Sequence, residues 1–589
     1  MQNPKEFYTT QKLFFEQELK VCKKKLAISS TLRLMVFLST IFSAYFFFET
    51  IKIMIPIVVF GVVLFVYLLF RHLNLQDKSK LNKALIEINR IELKVLNRDY
   101  LSLNSGDEFI NPTHAFSYDI DLFGKGSFFQ YCNRTVTNEG KVKLVETLTN
   151  NDISNIIEKQ HAIKELSEKP KWRQQFSALA SLVKLEYSTK SIADWIHNYK
   201  SVFPKFILLL PKVFSIISLA LITLVIMQII AEQVLLIWFF VGLGISGAYL
   251  KKVGKLYDDA SKAKDTFKQY YKLLNEIETT KFTSKILKEK QQEIQTETQK
   301  ASLIFSKFSK ILDSFDQRNN LIIAVFGNAF FLRDLQLVYN VEKWIHNYNH
   351  NVENWFKVIT FFDAQNSLAN FAFNHPSYVF PQIDINKQII FSKNLGHPLL
   401  KELKRVDNNF NIENKQFFIV TGANMAGKST FLRTVSLAIV MGNIGLPVCA
   451  QEFKYNPIKL ITSMRTSDSL ADDESYFFSE LKRLKFIVEE IKNKEYFIIL
   501  DEILKGTNST DKAIGSKKFV QKLVNSKSTG IIATHDLSLC EIENDLPEVK
   551  NYFFDAEIIN EELYFDYKLK EGICKNMNAS FLLKKMEII

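Results

Sequence analysis

One stretch of the sequence decides the fold of the C-terminal third, and it reads Phe417-Phe418-Ile419-Val420-Thr421-Gly422-Ala423-Asn424-Met425-Ala426-Gly427-Lys428-Ser429-Thr430. The apolar, partly β-branched start predicts a buried strand, and Gly422 and Gly427 predict a tight turn that leads into a helix. The spacing Gly-x4-Gly-Lys-Ser is that of a loop whose backbone N–H groups surround the phosphates of a nucleoside triphosphate. The stretch therefore predicts a nucleotide-binding α/β domain.

Each residue of this loop has a predicted role. Lys428 is predicted to contact the outer phosphates of ATP, and the Ser429 hydroxyl to ligate Mg²⁺. The helix from Ser429 to about Gly442 places the positive end of its dipole at the same anion. The predicted nucleotide-binding residues are Gly422, Ala423, Asn424, Met425, Ala426, Gly427, Lys428, Ser429 and Thr430.

A second apolar run, residues 496–500, ends in the carboxylate pair Asp501-Glu502. Such a run is typical of a buried parallel strand. Asp501 is predicted to hold Mg²⁺ together with Ser429, and Glu502 to orient the water that attacks the γ-phosphate. A third strand, residues 530–534, ends at His535, which is predicted to hydrogen-bond the γ-phosphate. The sequence thus predicts an ATPase whose catalytic residues are Glu502, His535 and Lys428.

The segment between these motifs, Asp468-Ser469-Leu470-Ala471-Asp472-Asp473-Glu474-Ser475-Tyr476-Phe477-Phe478-Ser479-Glu480, resembles the ATPase domain of the MutS family. The loop core 424–430, the run 501–507 with Asp511, and 533–535 resemble the same family. The resemblance implies an ABC-type ATPase fold, ATP and Mg²⁺, a homodimer through the ATPase domain, and DNA as a partner. It assigns Ser475 to the γ-phosphate bound by the other subunit. The chain departs from the family at Tyr476, at Leu504-Lys505 and at Ser469.

Upstream, residues 121–124 with Ser127 and residues 133–140 are similar to the helical core of the same family. Arg134 could contact DNA phosphate. A turn that caps a helix through Thr135, Thr137 and Gly140 is the interpretation that the sequence favours. His397-Pro398-Leu399-Leu400 resembles the entry into the family's ATPase domain.

Four apolar runs, residues 34–48, 53–70, 213–230 and 234–250, suggest two transmembrane hairpins, because ~20 residues cross a ~30 Å hydrocarbon core. Fully buried helices of a soluble domain are the alternative. Basic residues flank both hairpins, namely Lys20, Lys23, Lys24, Lys25, Arg33, Arg71, Lys78, Lys80, Lys200, Lys205, Lys212, Lys251, Lys252 and Lys255. Since positive charge remains in the cytoplasm, the sequence predicts a multi-pass protein of the cell's inner or plasma membrane with a cytoplasmic ATPase domain.

Composition leaves the partner open. The chain has 75 Lys and Arg against 63 Asp and Glu, a formal net charge of +12. This excess suits nucleic acid or an anionic lipid surface equally well. The five cysteines form no Cys-x-x-Cys pair, so the sequence indicates neither a zinc site nor a disulfide framework.

The predicted fold class is a multi-domain α+β protein with a MutS-like helical core and lever region, four transmembrane helices and a C-terminal ABC-type P-loop α/β domain. A long amphipathic lever helix is predicted from Tyr257 to about Phe315. The predicted segments are an N-terminal helix (1–32), the first hairpin (33–71), the helical core (72–200), the second hairpin (201–252), the lever and core helices (253–395) and the ATPase domain (396–589).

Three functions fit these patterns. The first is a membrane-anchored, dimeric MutS-like ATPase coupled to DNA binding in mismatch repair or recombination, and the family-like motifs favour it. The second keeps the same ATPase but gives it a membrane or protein-remodelling role without DNA. The third is an ABC-type half-transporter, which the MutS-like wording of the motifs and the short turns between the apolar runs disfavour.

Overall fold

The computed structural model describes residues 3–182, 187–201, 203–204, 209–295, 299–384, 388–465, 476–505, 507–559 and 562–574. The helices are α1 (Pro4–Phe46), α2 (Ile51–Leu96), α3 (Phe128–Cys132), α4 (Asn138–Thr149), α5 (Ile156–Ser167), α6 (Pro170–Ser181), α7 (Thr189–Asn198), α8 (Leu210–Ile226), α9 (Gln233–Thr279), α10 (Lys285–Gln292), α11 (Ala301–Asp316), α12 (Leu321–Phe331), α13 (Arg333–Asn374), α14 (Lys428–Asn443), α15 (Tyr476–Glu490), α16 (Ser509–Asn525) and α17 (Ile542–Asp545). The strands are β1 (Gln382–Ile383), β2 (Gln388–Leu395), β3 (Asn408–Glu413), β4 (Phe417–Gly422), β5 (Glu452–Tyr455), β6 (Lys459–Ser463), β7 (Tyr496–Asp501), β8 (Thr529–Ala533), β9 (Val549–Phe554), β10 (Glu557–Ile559), β11 (Glu562–Tyr564) and β12 (Leu569–Glu571).

The C-terminal domain is built on a six-stranded sheet with the strand order β12-β9-β4-β8-β7-β6. Five strands are parallel, and β12 pairs antiparallel with β9 at one edge. Side chains of β4 alternate between two hydrophobic cores, with Phe418 and Val420 in one and Phe417 and Ile419 in the other. Burial on both faces explains why this strand is an unbroken apolar run.

A smaller four-stranded sheet, with the order β1-β5-β2-β3, adjoins the same core. The helical region contacts this domain through the loop that follows a short 3-10 helix, Asp107–Phe109. Asp121 there pairs with Arg465, with oxygen-to-nitrogen distances of 2.6 and 2.8 Å. The buried Asp119 accepts hydrogen bonds from the Thr462 hydroxyl and the Arg465 backbone N–H. These contacts hold the predicted core region against the sheet domain.

Two long helices, α9 and α13, organise the helical region. Both pack against α7, α11 and α12, and α13 also packs against α4 and α5. Their shared core contains Phe267 of α9 and Trp344 of α13, and Trp344 stacks on Phe308 of α11 at a ring distance of 3.8 Å. Because α13 ends at Asn374, it leads directly from this core into the sheet domain.

The prediction of one lever helix from Tyr257 to about Phe315 is wrong beyond Thr279. Helix α9 ends there, and α11 folds back so that Phe305 packs on Phe267. The carboxylate of Glu165 accepts the backbone N–H groups of Thr283 and Ser284, which stabilises the turn. The apolar positions of α9 that suggested one amphipathic helix, such as Phe267, therefore face α11 across a helical hairpin.

Several predicted segment boundaries fall within continuous helices. The boundary at residue 32 lies within α1, the one at residue 71 within α2, and the one at residue 252 within α9. The apolar runs and the neighbouring charged segments thus share single helices. A helix that changes from apolar to charged along its length needs no break, because backbone hydrogen bonding continues through both parts.

Within the described part of the chain, three helices, α1, α2 and α9, are long and apolar enough to cross a membrane. They contain the predicted runs 34–48, 53–70 and 234–250, and side chains there such as Phe42 and Phe60 are each 68% exposed. The remaining predicted run, 213–230, falls on α8, which has 17 residues and ends at Ile226. At 1.5 Å per residue, α8 is ~26 Å long. The four predicted apolar runs therefore fall on three long apolar helices and one shorter helix.

A further apolar helix, α12, was not predicted from the sequence. Its 11 residues end at Phe331, and the chain then bends by 85° at Leu332 into α13. On its inner side Ala329 lies so close to Gly242 of α9 that a Cβ at Gly242 would meet the Ala329 carbonyl oxygen at 2.0 Å. On its outer side Leu321 and Ile322 are exposed. α12 thus adds to the exposed apolar surface formed by α8 and α9.

Candidate nucleotide-binding site

The loop that the sequence predicts to bind phosphate lies between β4 and α14. Gly422 has φ 148°, and a Cβ there would meet the Phe554 carbonyl oxygen at 2.6 Å. Gly427 has φ 106°, a left-handed conformation that favours glycine. α14 begins at Lys428, so its first N–H groups, which have no partner within the helix, point into the loop. This is the geometry of an anion site at a helix N-terminus.

Lys428 lies beneath the loop. It is buried, and its Nζ donates to the carbonyl oxygens of Gly422 and Ala423 at 2.7 and 3.1 Å. Burial lowers the pKa of the Lys428 ammonium, and the carboxylates of Asp501 and Glu502 oppose that effect. The structure thus holds one cation at the centre of the loop.

The ends of β7 and β8 bring the predicted acidic and histidine residues to this loop. The Ser429 hydroxyl donates to Asp501 Oδ2 at 2.8 Å. His535 Nε2 lies 2.8 Å from Glu502 Oε1 and 3.1 Å from Lys428 Nζ. The contact with His535 lowers the pKa of Glu502 to about 2. Glu502 also has a left-handed backbone (φ 50°), a conformation that is concentrated at functional sites in non-glycine residues.

A cavity of about 260 Å³ joins these side chains. The predicted residues that line it are Ala423, Asn424, Met425, Gly427, Lys428, Ser429, Thr430, Asp501, Glu502 and His535. Gly422 and Ala426 do not line it; they belong to the buried backbone of the loop. Lys505 also lines the cavity, 3.8 Å from Glu502, although sequence analysis assigned it no role. Its position three residues after Glu502 could have indicated that the two side chains lie close together.

A second cavity, of about 350 Å³, continues from the first and shares Met425, Gly427 and Thr430 with it. Its walls include His397, Phe431 and Tyr567. The Tyr567 ring would lie 3.1 Å from a Cβ at Gly427, so the ring sits directly over the loop. Sequence analysis missed Tyr567 because it is distant in the chain and belongs to no recognised motif.

Glu480 has a structural role that sequence analysis did not assign. It is buried, and its carboxylate accepts the backbone N–H groups of Leu504 and Lys505, the second at 3.0 Å. Burial raises its pKa. Glu480 therefore fixes the loop that follows Glu502. The predicted signature residue Ser475 and the preceding segment from Asp468 lie outside the described residues, as does Gly506.

The turn at residues 133–140 packs against the helical core through its buried residues Thr137 and Gly140. Thr137 caps α4, and its hydroxyl accepts the Gly140 backbone N–H at 2.9 Å. Arg134 pairs with the buried Glu92, with Nε 2.5 Å from Oε1. The turn-and-cap interpretation is thus confirmed. Arg134 is held in an ion pair with Glu92 and is not free to contact DNA phosphate.

Comparison with known proteins bears on the same domain. Residues 418–585 match MutS domain V. The sheet domain is thus similar to a domain of the MutS family. Human MutS protein homolog 4 is 32% identical over 204 residues, which cover 33% of this chain and 21% of the human protein. The DNA mismatch repair protein MutS of Clostridium novyi is 31% identical over 252 residues, or 40% of this chain and 27% of that protein.

The DNA mismatch repair protein MSH4 of Arabidopsis thaliana is 31% identical over 194 residues, which cover 32% of this chain and 24% of that protein. The chain therefore matches about a quarter of the length of these MutS-family relatives. The matched length agrees with a likeness centred on the sheet domain, where β4, α14, β7 and β8 lie.

Proposed function

We propose that this chain binds and hydrolyses ATP. One observation carries the proposal: Lys428, Ser429, Asp501, Glu502 and His535 come from three separate segments and line one cavity of about 260 Å³. A loop of N–H donors, a cation, a hydroxyl-carboxylate pair and an ionised glutamate are the parts that phosphoryl transfer to water requires.

Each of these residues has a separate role in the proposed reaction. The N-terminal N–H groups of α14 and the Lys428 ammonium bind the β- and γ-phosphates, for which Lys428 exchanges its hydrogen bonds to the Gly422 and Ala423 carbonyls. Glu502, ionised because its pKa is about 2, accepts a hydrogen bond from the attacking water and orients it. His535, in contact with both Glu502 and Lys428, holds the glutamate in place and senses the γ-phosphate.

The chemistry of Ser429 and Asp501 fits Mg²⁺. Their side-chain oxygens lie 2.8 Å apart at the mouth of the loop, and hydroxyl and carboxylate oxygens are the ligands that this ion prefers. When bound, Mg²⁺ neutralises charge on the phosphates. The chain's own contribution is to hold both oxygens on rigid elements, the first turn of α14 and the end of β7.

The second cavity fits the nucleoside. It is continuous with the phosphate cavity through Gly427 and Thr430, and its His397, Phe431 and Tyr567 side chains offer aromatic surfaces to a purine ring. Ligand pockets of this kind combine a mostly apolar wall with a few polar groups. ATP placed with its phosphates on the loop would extend its base toward Tyr567.

We further propose that the chain acts as a homodimer through the ATPase domain and couples ATP to DNA. Relatives named as DNA mismatch repair proteins support a DNA role, and the net charge of +12 is compatible with it. Support for the dimer comes from the loop itself, where Met425 is 76% exposed beside the phosphate cavity. Ser475 is proposed to complete the site of the other subunit.

The DNA role is tested with the detergent-solubilised protein. We expect matched, mismatched or branched duplexes to bind with an affinity that falls steeply with salt, and to change the ATP hydrolysis rate. Binding of every duplex with equal affinity would indicate DNA binding without mismatch recognition. ATP hydrolysis with no duplex bound at any salt concentration would favour the membrane or protein-remodelling role. ATP-driven solute flux in sealed vesicles would instead support a half-transporter.

We also propose that the chain is anchored in the cell's inner or plasma membrane with the ATPase domain in the cytoplasm. The exposed apolar parts of α1, α2 and α9 support this proposal, and so do α8 and α12, which pack beside α9. An exposed apolar surface on this scale is unfavourable in water. Within α9, Trp238 donates to Ser218 of α8 at 2.7 Å, which satisfies two polar groups inside the apolar bundle.

The topology is tested by cysteine labelling. Single cysteines at Thr50 and Gln233, both exposed at the tips of the hairpins, are expected to react with a membrane-impermeant thiol reagent in intact cells. A cysteine at the exposed Asn493 of the ATPase domain is expected to react only after lysis. The five native cysteines are buried and are replaced by alanine.

The wild-type protein, with its buried cysteines, is the control for background labelling. Protection of Thr50→Cys and Gln233→Cys in intact cells, together with protein in the soluble fraction, would overturn the anchor. Labelling of Asn493→Cys in intact cells would overturn the orientation.

A further inference from the structure

A further cavity, about 460 Å³ in volume, lies away from the two cavities of the nucleotide site. It lies where α2, α6 and α13 meet the turn 133–136 and is partly open to the surface. Its walls include Ile88, Ile91, Arg134, Arg173, Asn366 and Asn370. The volume is within the range of ~300–1,000 Å³ that holds small organic ligands. None of its lining residues belongs to the ATP site.

The cavity wall contains a buried guanidinium with spare hydrogen-bonding capacity. Arg173 is 4% exposed; its Nε donates to the Leu166 carbonyl at 2.9 Å and its Nη1 to Asn370 Oδ1 at 2.8 Å. Its Nη2 has no hydrogen-bond partner among the described residues. A buried donor without a partner costs free energy, and a guanidinium costs more than a neutral group.

A buried amide lies in the same wall. Asn366 is 3% exposed, and neither its Nδ2 nor its Oδ1 has a partner within the described part of the chain. Native proteins satisfy most buried amides. Arg173 and Asn366 together present donors, and one acceptor, that the protein itself does not use.

The charges around the cavity leave one positive charge uncompensated. Arg134 is paired with Glu92 at 2.5 Å, and Glu92 also accepts a hydrogen bond from Asn374. Glu87, at the rim, is paired with Arg90 at 2.7 Å. Arg173 makes no ion pair with any described residue, because its two hydrogen bonds go to neutral oxygens. The cavity thus favours a single negative charge.

The opposite wall is apolar. Ala84, Ile88 and Ile91 come from one face of α2, and Leu103 and Val136 extend it. We propose that this cavity binds a small organic anion, whose carboxylate or phosphate group contacts Arg173 and Asn366 and whose apolar body packs against α2. A planar anionic group suits a guanidinium fork, and contact with a buried partner strengthens the hydrogen bonds.

Such a ligand would join two parts of the chain. α2 continues from the first apolar hairpin, and α13 continues into the ATPase domain. A molecule that contacts Ile88 on α2 and Asn366 on α13 stabilises the arrangement in which these helices are together, by mass action. The site therefore offers control of the contact between the apolar helices and the helix that leads to the ATPase domain.

The proposal is tested by calorimetric titration of the solubilised full chain with benzoate and with phenyl phosphate, which share a ring and differ in the anionic group. Benzyl alcohol is the uncharged control. We expect saturable binding of at least one anion and none of the alcohol. Whichever anion binds more tightly identifies the carboxylate or the phosphate as the preferred head group.

Two variants and one matched control locate the binding. Arg173→Gln is expected to weaken binding by roughly 10- to 100-fold, since it removes hydrogen bonds from a charged donor. Ser177→Phe, which fills the cavity from α6 and leaves Arg173 intact, is expected to abolish binding while ATP affinity is unchanged. Lys171→Gln, an exposed cation on the same helix as Arg173 and outside the cavity, is expected to bind as the wild type does.

Absence of saturable binding of either anion to the wild type would overturn the proposal. Equal binding by wild type and Ser177→Phe would overturn it too, because the anions would then be elsewhere. Ser177→Phe keeps the test decisive if Arg173→Gln does not fold. Failure of the wild-type protein to bind or hydrolyse ATP would count against the proposed function and not against the anion site in this cavity.

Discussion

Replacing Glu502 with glutamine is expected to lower the rate of ATP hydrolysis by a factor of about 10²–10⁴ while ATP binding is retained. The glutamate is ionised because its contact with His535 lowers its pKa to about 2. An amide keeps the shape of the side chain but lacks the negative charge that orients the attacking water. Single-turnover hydrolysis and equilibrium ATP binding measure the two parts separately.

The pH dependence provides a check on this role. A pKa of about 2 leaves Glu502 ionised from pH 5 to pH 9, so the loss of rate in Glu502→Gln is expected to be the same at pH 6 and pH 8. Glu489→Gln, an exposed glutamate on α15, is the matched control and should hydrolyse ATP at the wild-type rate. Turnover close to wild type in Glu502→Gln would refute the catalytic role.

The same variant tests the proposed dimer. A chain that binds ATP and does not hydrolyse it should accumulate in its ATP-bound assembly. With ATP and Mg²⁺, Glu502→Gln is therefore expected to sediment as a dimer. A monomer at saturating ATP would contradict assembly through the ATPase domain.

Replacing Asp363 with alanine is expected to lower the free energy of unfolding by about 3–5 kcal/mol. The buried Asp363 carboxylate accepts the backbone N–H groups of Val136 and Thr137 and the Thr137 hydroxyl, at 3.1, 2.8 and 2.7 Å. Alanine leaves all three donors without a partner in the interior. Chemical denaturation followed by circular dichroism measures the loss, and Glu353→Ala, an exposed site on the same helix, should change stability by less than about 1 kcal/mol.

The difference between wild type and Asp363→Ala should also depend on pH. Burial raises the pKa of Asp363 in the folded state to about 6, above its usual 3.8. A raised carboxyl pKa means that the folded state holds the proton more tightly, so this stabilising contribution is complete below pH 4 and is lost as pH rises through 6. The wild-type advantage is thus expected to be larger at pH 5 than at pH 7.5. An advantage that grows with pH would contradict the raised pKa.

The nucleotide-binding residues could be predicted because local patterns specify them. β4, the turn at Gly422 to Gly427 and α14 follow one another in the chain, and their spacing alone defines the loop. Asp501 and His535 follow apolar runs that become neighbouring parallel strands, so their side chains meet at one edge of the sheet. The structure brings together the residues that each pattern predicted separately.

The features that sequence analysis missed depend on contacts between distant parts of the chain. Tyr567 lies just before β12, whose first residue Leu569 donates its backbone N–H to Asn408, 161 residues earlier in the chain. The fold-back of α11 onto α9 depends on Phe267 meeting Phe305, which helical periodicity alone does not distinguish from one longer helix. α12 was missed because 11 apolar residues are too few for a span, and its partner Gly242 is remote in sequence.

The unbroken course of α13 has a mechanical consequence. Its 42 residues, ~63 Å at 1.5 Å per residue, connect the bend at Leu332 to the start of the sheet domain. One extra residue in its middle would turn one end against the other by ~100° and lengthen it by ~1.5 Å. A rotation or displacement of the sheet-domain end of α13, arising when the nucleotide loop changes state, would therefore be transmitted to the apolar end with the same direction, because the helix between them is continuous.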